Sequence, residues 1–275
     1  MVGKKSALGW LNTLMPAPGG ARRVATDIAY GPHPRQRLDT FAPMNFERKC
    51  PVLFFVYGGG WNSGSKSDYE FVGRAYAGAG FLTVIADYRL VPEIHYPEFL
   101  RDLARALNWT LAEAPAFGGD AEQLFLMGHS AGAYNALMLG LDGVRYGTPD
   151  ISHRIKGLIG LSGPYDFYPF DVAESIATFS RAERPELTQP VKVVPDRPPP
   201  AYLGHGSDDE TCLPRNTKAL ARKLREARGY VIERHYEGTG HAATLLSLFP
   251  LLRWRTPAFR ETLHFMSKEL GRDVT

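Results

Sequence analysis

Apolar runs recur along the chain, and between them apolar positions fall at helical spacing. The runs are PVLFFVY (Pro51 to Tyr57), FLTVIADY (Phe81 to Tyr88), LFLMG (Leu124 to Gly128), KGLIGLSG (Lys156 to Gly163), AYLGHG (Ala201 to Gly206) and YVIERHY (Tyr230 to Tyr236). Strands buried on both faces read as unbroken apolar runs, so the alternation predicts an α/β fold with a mostly parallel central sheet and helices on both faces. SDYEFVGRAYAGAG predicts a helix capped by Ser67 or Asp68 and ended by Gly78 or Gly80. PEFLRDLARALNWTLAEA predicts a second, with Pro97 in its first turn, Leu100, Leu103, Ala104 and Leu107 on one face, and Pro115 beyond its end. Upstream, RVATDIAYG and QRLDTFAP flank Gly31-Pro32-His33-Pro34, which predicts a β-hairpin at one sheet edge. Pro164 to Pro200 breaks the pattern: it is rich in proline and aromatics, with one short helical piece near VAESIATFS. Long irregular segments in compact folds are often lids, so it is expected as a small cap within a single domain spanning residues 1–275.

Composition narrows the class. With 44% hydrophobic and 22% charged residues the chain reads as a soluble globular protein. Its net charge of +3 is mild, and the basic residues are not interleaved with aromatics, so no nucleic-acid partner is expected. The densest basic run, KALARKLREAR (Lys218 to Arg228), places Leu220, Leu224 and Ala227 at helical spacing and reads as a solvated helix face. Cys50 and Cys212 are far apart and lack metal-ligand spacing, which suggests a reduced, cytoplasmic setting and no metal. The N-terminal MVGKKSALGWLNTLMPAPGGARR faintly resembles an export signal. Asn12 and Thr13 interrupt its apolar part, so a short amphipathic helix against the domain is the simpler expectation. No run reaches membrane-spanning length, and the oligomeric state is not legible.

The chemistry gathers around MGHSAGAY, residues Met127 to Tyr134. G-x-S-x-G is the pattern of a nucleophile elbow, with the serine at the tip of a strained strand-to-helix turn. Twelve serines and 28 glycines in 275 residues give roughly 0.1 chance matches, so context must decide. An apolar run precedes Ser130 and good helix formers follow it. The Ala131 N–H would then be the first oxyanion donor, at a helix N-terminus that favours negative charge. The triple glycine in FFVYGGGWNSG supplies further donors, and Gly59, Gly60 and Ala131 are assigned to the hole. A phosphate loop would need a Gly-Lys-Ser/Thr ending, which is absent. For the base, His235 falls within a strand run and His264 within a C-terminal helix, whereas His241 in YEGTGHAAT lies on a glycine-rich loop after the last strand. The acid belongs at the end of the preceding strand, where Asp208, Asp209 and Glu210 all stand. Tyr57, Trp61, Tyr165, Phe167, Tyr168 and Phe170 are candidates to line an apolar acyl or alcohol pocket, although aromatics more often pack a core.

Taken together, these motifs resemble the α/β-hydrolase family, in particular the esterase and lipase branch related to hormone-sensitive lipase and the bacterial carboxylesterases. The resemblance runs from the glycine loop to His241. It implies that HGSDD (His205 to Asp209), similar to the family's H-G-x-x-D, places the catalytic acid at Asp209, and that ADYRLVPE (Ala86 to Glu93) is structural. The branch usually has histidine before the glycines, where Tyr57 stands here. Trp61 also resembles the H-G-G-x-W pattern of arylformamidases, again with histidine expected at position 57. The resulting expectation is a cofactor-free serine carboxylesterase using Ser130, His241 and Asp209 on small-molecule esters. The alternatives are an arylformamidase or small-molecule amidase, and, from another class, a non-catalytic binding protein on the same fold.

Overall fold

The computed structural model describes Gly9, Asn12 and residues 20–45 and 49–272. The expected N-terminal helix therefore lies largely outside the described residues. Eight strands form one sheet in the order β1-β2-β4-β3-β5-β6-β7-β8. They are β1 (Ala21–Ala29), β2 (Arg37–Pro43), β3 (Cys50–Val56), β4 (Leu82–Ala86), β5 (Gly119–His129), β6 (Ile155–Leu161), β7 (Ala201–Gly206) and β8 (Val231–Tyr236). β3 to β8 pair in parallel, while β2 runs antiparallel to both β1 and β4, so the expected edge hairpin is present.

Seven helices accompany the strands among the described residues: α1 (Glu70–Gly78), α2 (Glu98–Glu113), α3 (Ala131–Asp142), α4 (Ala173–Phe179), α5 (Arg215–Glu226), α6 (Ala243–Leu246) and α7 (Ala258–Glu269). Neighbouring residues of β6 show that both sheet faces are covered. A Cβ on Gly157 would press on Phe265 of α7, whereas Leu158 already fills the space beside Gly140 of α3. Consecutive strand residues point to opposite faces, so α3 and α7 pack on opposite sides. Every residue of β3 is buried, as its unbroken apolar run requires.

Local details adjust the expectations. α1 is preceded by a 3-10 turn, Lys66–Tyr69, and the cap is Ser65, whose hydroxyl accepts the Ser67 N–H, not Ser67 or Asp68. Pro97 sits just before α2, where its missing N–H costs nothing. The basic run falls on α5, with Leu220 and Leu224 fully buried and Lys218, Arg222, Lys223 and Arg225 exposed. Between β6 and β7 the segment expected as a cap carries α4 and short turns but no strand.

Candidate active site

β5 ends at His129 and α3 begins at Ala131, so Ser130 alone makes the turn. Its φ of 56° with ψ of −130° is backbone territory that a residue with a Cβ rarely occupies. Two glycines leave room for this turn. A Cβ on Gly128 would sit 2.2 Å from the Gly132 oxygen, and one on Gly132 would sit 2.1 Å from the Val56 oxygen. The Ser130 N–H donates to the Leu161 carbonyl at 2.9 Å, which ties the elbow to β6.

The loop after β8 carries His241 to this serine. Its Nε2 lies 2.9 Å from Ser130 Oγ and its Nδ1 lies 2.7 Å from Asp209 Oδ2. A carboxylate only accepts, so Nδ1 carries the proton and Nε2 is left to accept from the serine hydroxyl. Asp209 is 2% exposed, and its other oxygen accepts the N–H groups of Thr211 at 3.0 Å and Cys212 at 2.8 Å. His205 Nε2–H donates to the Cys212 carbonyl at 2.6 Å and also lies 3.1 Å from Oδ2. Burial alone would raise this carboxyl, but the hydrogen bonds from His205, His241 and the Cys212 N–H outweigh it and hold the group below the ordinary carboxylate range. Asp208 is exposed and accepts from the Ser207 hydroxyl instead.

His129 also meets this cluster, and the sequence reading did not single it out. Its Nε2–H donates to the His241 carbonyl at 3.0 Å, and the two rings lie 4.9 Å apart. Burial, and then the neighbouring His241 charge, push His129 down to about 3, so it is neutral across the physiological range. Its one sequence signal was its place as the variable residue just before Ser130.

The glycine loop lies against the elbow, for a Cβ on Gly58 would be 2.8 Å from Ser130 Cβ. Gly59 (φ 118°) and Gly60 (φ 59°) form a tight turn in which the Gly59 carbonyl accepts from the N–H groups of Asn62 and Ser63. The Gly60 N–H, anti to that carbonyl across a planar peptide, points away from this turn. Among the described residues, none of the N–H groups of Gly59, Gly60 and Ala131 donates to a backbone or side-chain acceptor of the chain.

Two of the expected pocket residues do something else. Tyr57 is fully buried between Tyr69 and Tyr88, with ring centroids 5.3 and 5.0 Å away. Its hydroxyl donates to Asp87 Oδ1 and accepts from Arg35 Nη2, each at 2.8 Å. Arg35 also holds the Gly64 carbonyl at 2.8 Å, and Asp87 accepts the Lys66 N–H at 2.6 Å. Tyr57 therefore braces both ends of the glycine loop from behind and offers no surface to a ligand. Tyr165 is likewise enclosed, packed on Gly160 and Gly163. Trp61 is nearly buried, donates to Asn135 Oδ1 at 3.1 Å and stacks on Phe167, which couples the glycine loop to the cap. Phe167 and Tyr168 line a cavity of about 620 Å³ with Asp166, Arg215 and Lys218, and neither Ser130 nor His241 is among its lining residues.

Comparison with known proteins finds esterases among those similar to this chain. A rice (Oryza sativa subsp. japonica) protein named probable isoprenylcysteine alpha-carbonyl methylesterase ICME is 29% identical over 247 residues, covering 82% of this chain and 60% of its own. Esterase LipC of Mycobacterium tuberculosis is 28% identical over 241 residues, covering 80% of this chain and again 60% of its own. The chain thus spans about 60% of the length of these curated relatives. Among solved structures, esterase B of Lactobacillus rhamnosis superposes with a TM-score of 0.81 at 16% identity, covering 96% of this chain and 91% of that one. The sequence profile of the BD-FAE family matches residues 38–224, and the chain belongs to that family, on the α/β-hydrolase fold.

Proposed function

We propose that this chain is a serine carboxylesterase that cleaves small acyl esters through an acyl-enzyme. The observation that carries this reading is the unbroken hydrogen-bonded line from Ser130 Oγ through His241 to buried Asp209, beside three backbone N–H groups that find no acceptor among the described residues. Ser130 Oγ attacks the ester carbonyl as His241 Nε2 takes its proton, and the N–H groups of Gly59, Gly60 and Ala131 hold the resulting oxyanion. The C–O bond to the alcohol then breaks as His241 returns the proton to the leaving oxygen. Water attacks the acyl-enzyme with His241 again as base, which releases the acid and restores the serine. Asp209 fixes the imidazole tautomer throughout. Both curated relatives are named as esterases, which supports an ester as the scissile bond.

A fluorophosphonate probe is expected to label one serine, mapped to Ser130 by peptide mass spectrometry. Activity is best read on a panel of p-nitrophenyl esters of increasing acyl length beside N-formylkynurenine. Turnover of the formamide with none of the esters would overturn the ester assignment in favour of an arylformamidase.

The brace makes its own prediction. Tyr57→Phe removes one hydrogen bond from each of Asp87 and Arg35, and a hydrogen bond to a charged group contributes about 1.5 to 3 kcal/mol. Unfolding in urea should register a loss of that size. Because the hydroxyl sits behind the loop that presents Gly59 and Gly60, kcat should fall with KM nearly unchanged. An unchanged urea midpoint and kcat would remove Tyr57 from the brace.

His129 links pH to stability. Its folded value, near 3, lies below the ordinary histidine value of about 6.5, so the unfolded chain binds the proton more readily. The stabilisation is complete above the unfolded value and is lost as pH falls from about 6.5 toward 3, at up to about 1.4 kcal/mol per pH unit. His129→Phe should flatten the decline of the urea midpoint over that window. It should also lower kcat, because the His241 main chain loses its donor. Equal slopes in the two proteins would contradict a buried, neutral His129.

A further inference from the structure

The large apolar side chains left in water are unevenly placed. Among the described residues nine are exposed, and six of them follow the C-terminal ends of parallel strands: Tyr168, Val172 and Ile176 after β6, Leu213 after β7, and Leu251 and Trp254 after β8. Ser130, Asp209 and His241 likewise follow the C-terminal ends of β5, β7 and β8. Two contacts fix the segments to that side. Glu174 of α4 lies against the glycine loop, 3.3 Å from where a Gly60 Cβ would stand, and Phe249 stacks at 3.7 Å on Phe71 in the first turn of α1, just past that loop.

Leu251 and Trp254 are the most exposed of the six, at 61% and 77%. They stand three residues apart in a 3-10 turn, Pro250–Leu252, extended by the bond from the Arg255 N–H to the Leu252 carbonyl. Residues i and i+3 eclipse in that geometry, so both side chains project from one edge. Their neighbours Leu248, Phe249 and Ala258 are buried, so the packing of the segment does not depend on either. The charge here has one sign. No acidic residue occurs between Glu237 and Glu261, whereas Arg253, Arg255 and Arg260 do. The Arg255 guanidinium lies 5.2 Å from the Trp254 ring centroid, and Arg253 lies 4.0 Å from that of Phe259.

An exposed tryptophan and leucine flanked by arginines suit the boundary between acyl chains and anionic headgroups, where the rings partition into the interface and the guanidinium groups meet phosphate. We propose that the catalytic face docks on anionic lipid surfaces, with Leu251 and Trp254 entering the interface and Arg253 and Arg255 attracting the headgroups. Val172 and Ile176 of α4 provide a second apolar contact. Asp171 and Glu174 nearby are acidic, so the attraction to anionic lipid belongs to the Leu251 to Arg255 turn.

Co-sedimentation with vesicles tests this. Wild-type protein should pellet with mixed phosphatidylcholine and phosphatidylglycerol vesicles, and far less with phosphatidylcholine alone or at high salt. The double variant Leu251→Ser, Trp254→Ser should bind at least about tenfold more weakly, since two large apolar side chains no longer leave water. Its hydrolysis of soluble p-nitrophenyl acetate should persist, which reports the fold and keeps this outcome separate from failure of the esterase reading. If the double variant does not fold, brominated lipids should quench wild-type tryptophan fluorescence and quench Trp254→Phe much less. Wild-type protein that ignores both vesicle types, or a variant that binds equally well, would overturn the proposal. So would a wild-type dimer in light scattering that the double variant turns into monomer, because the patch would then belong to a second copy.

Discussion

Ser130→Ala is expected to lower kcat/KM for a soluble ester by about 10⁴-fold or more, the scale on which serine hydrolases depend on their nucleophile. The loss should be chemical, not structural. Alanine keeps the Cβ, the N–H bonded to Leu161 and the same backbone at φ 56°, so the room provided by Gly128 and Gly132 is used in the same way. The urea midpoint should therefore stay close to wild type. Ser130→Gly is the informative companion, because glycine adopts a positive φ without a Cβ penalty. It should be equally inactive and slightly more stable, by about 1 kcal/mol, if the elbow stores backbone strain. Both variants should lose fluorophosphonate labelling, and residual turnover over water would report what the backbone donors achieve alone. An alanine variant that retained wild-type turnover would move the nucleophile elsewhere.

How much of this was legible in the sequence depends on what each feature rests on. The sheet was legible because strands such as β3, covered on both faces, must be apolar throughout, and the elbow because only glycine fits at 128 and 132. The edge hairpin was carried by turn residues at Gly31 to Pro34. Among Asp208, Asp209 and Glu210 the residues alone left the choice open, and only the family resemblance singled out Asp209. The difference is burial by three donors, which depends on the path of the loop after β7. Tyr57 and Tyr165 were misplaced because an aromatic near a strand end can face a pocket or a core with equal ease. Arg35 and Asp87, distant in sequence, decide the matter for Tyr57. His129 stayed hidden since its partner is a backbone carbonyl 112 residues away, which no side-chain pattern encodes.

Asp209→Asn should be nearly as damaging as loss of the serine, lowering kcat by about 10⁴-fold. A carboxylate at Oδ2 accepts from His241 Nδ1, which leaves Nε2 unprotonated and ready for the Ser130 proton. An asparagine that keeps its oxygen on the N–H groups of Thr211 and Cys212 turns its NH₂ toward His241, so that Nδ1 must accept and Nε2 must carry the proton. The flipped amide fares no better for folding, since its NH₂ then faces two backbone donors, while in the first orientation it faces His205 Nε2–H. One donor is opposed by another in either case, at a cost of about 1 to 3 kcal/mol that a urea titration would register. The pH dependence supplies an independent check. Because the folded carboxyl titrates below the ordinary range, its stabilisation is present above about pH 4 and is lost as pH falls below it, and the variant should lack that acid limb. Asp208→Asn, at an exposed residue bonded to the Ser207 hydroxyl, should leave both activity and the limb nearly intact. If Asp208→Asn proved the severe substitution and Asp209→Asn the mild one, the acid would not be the residue that holds His241.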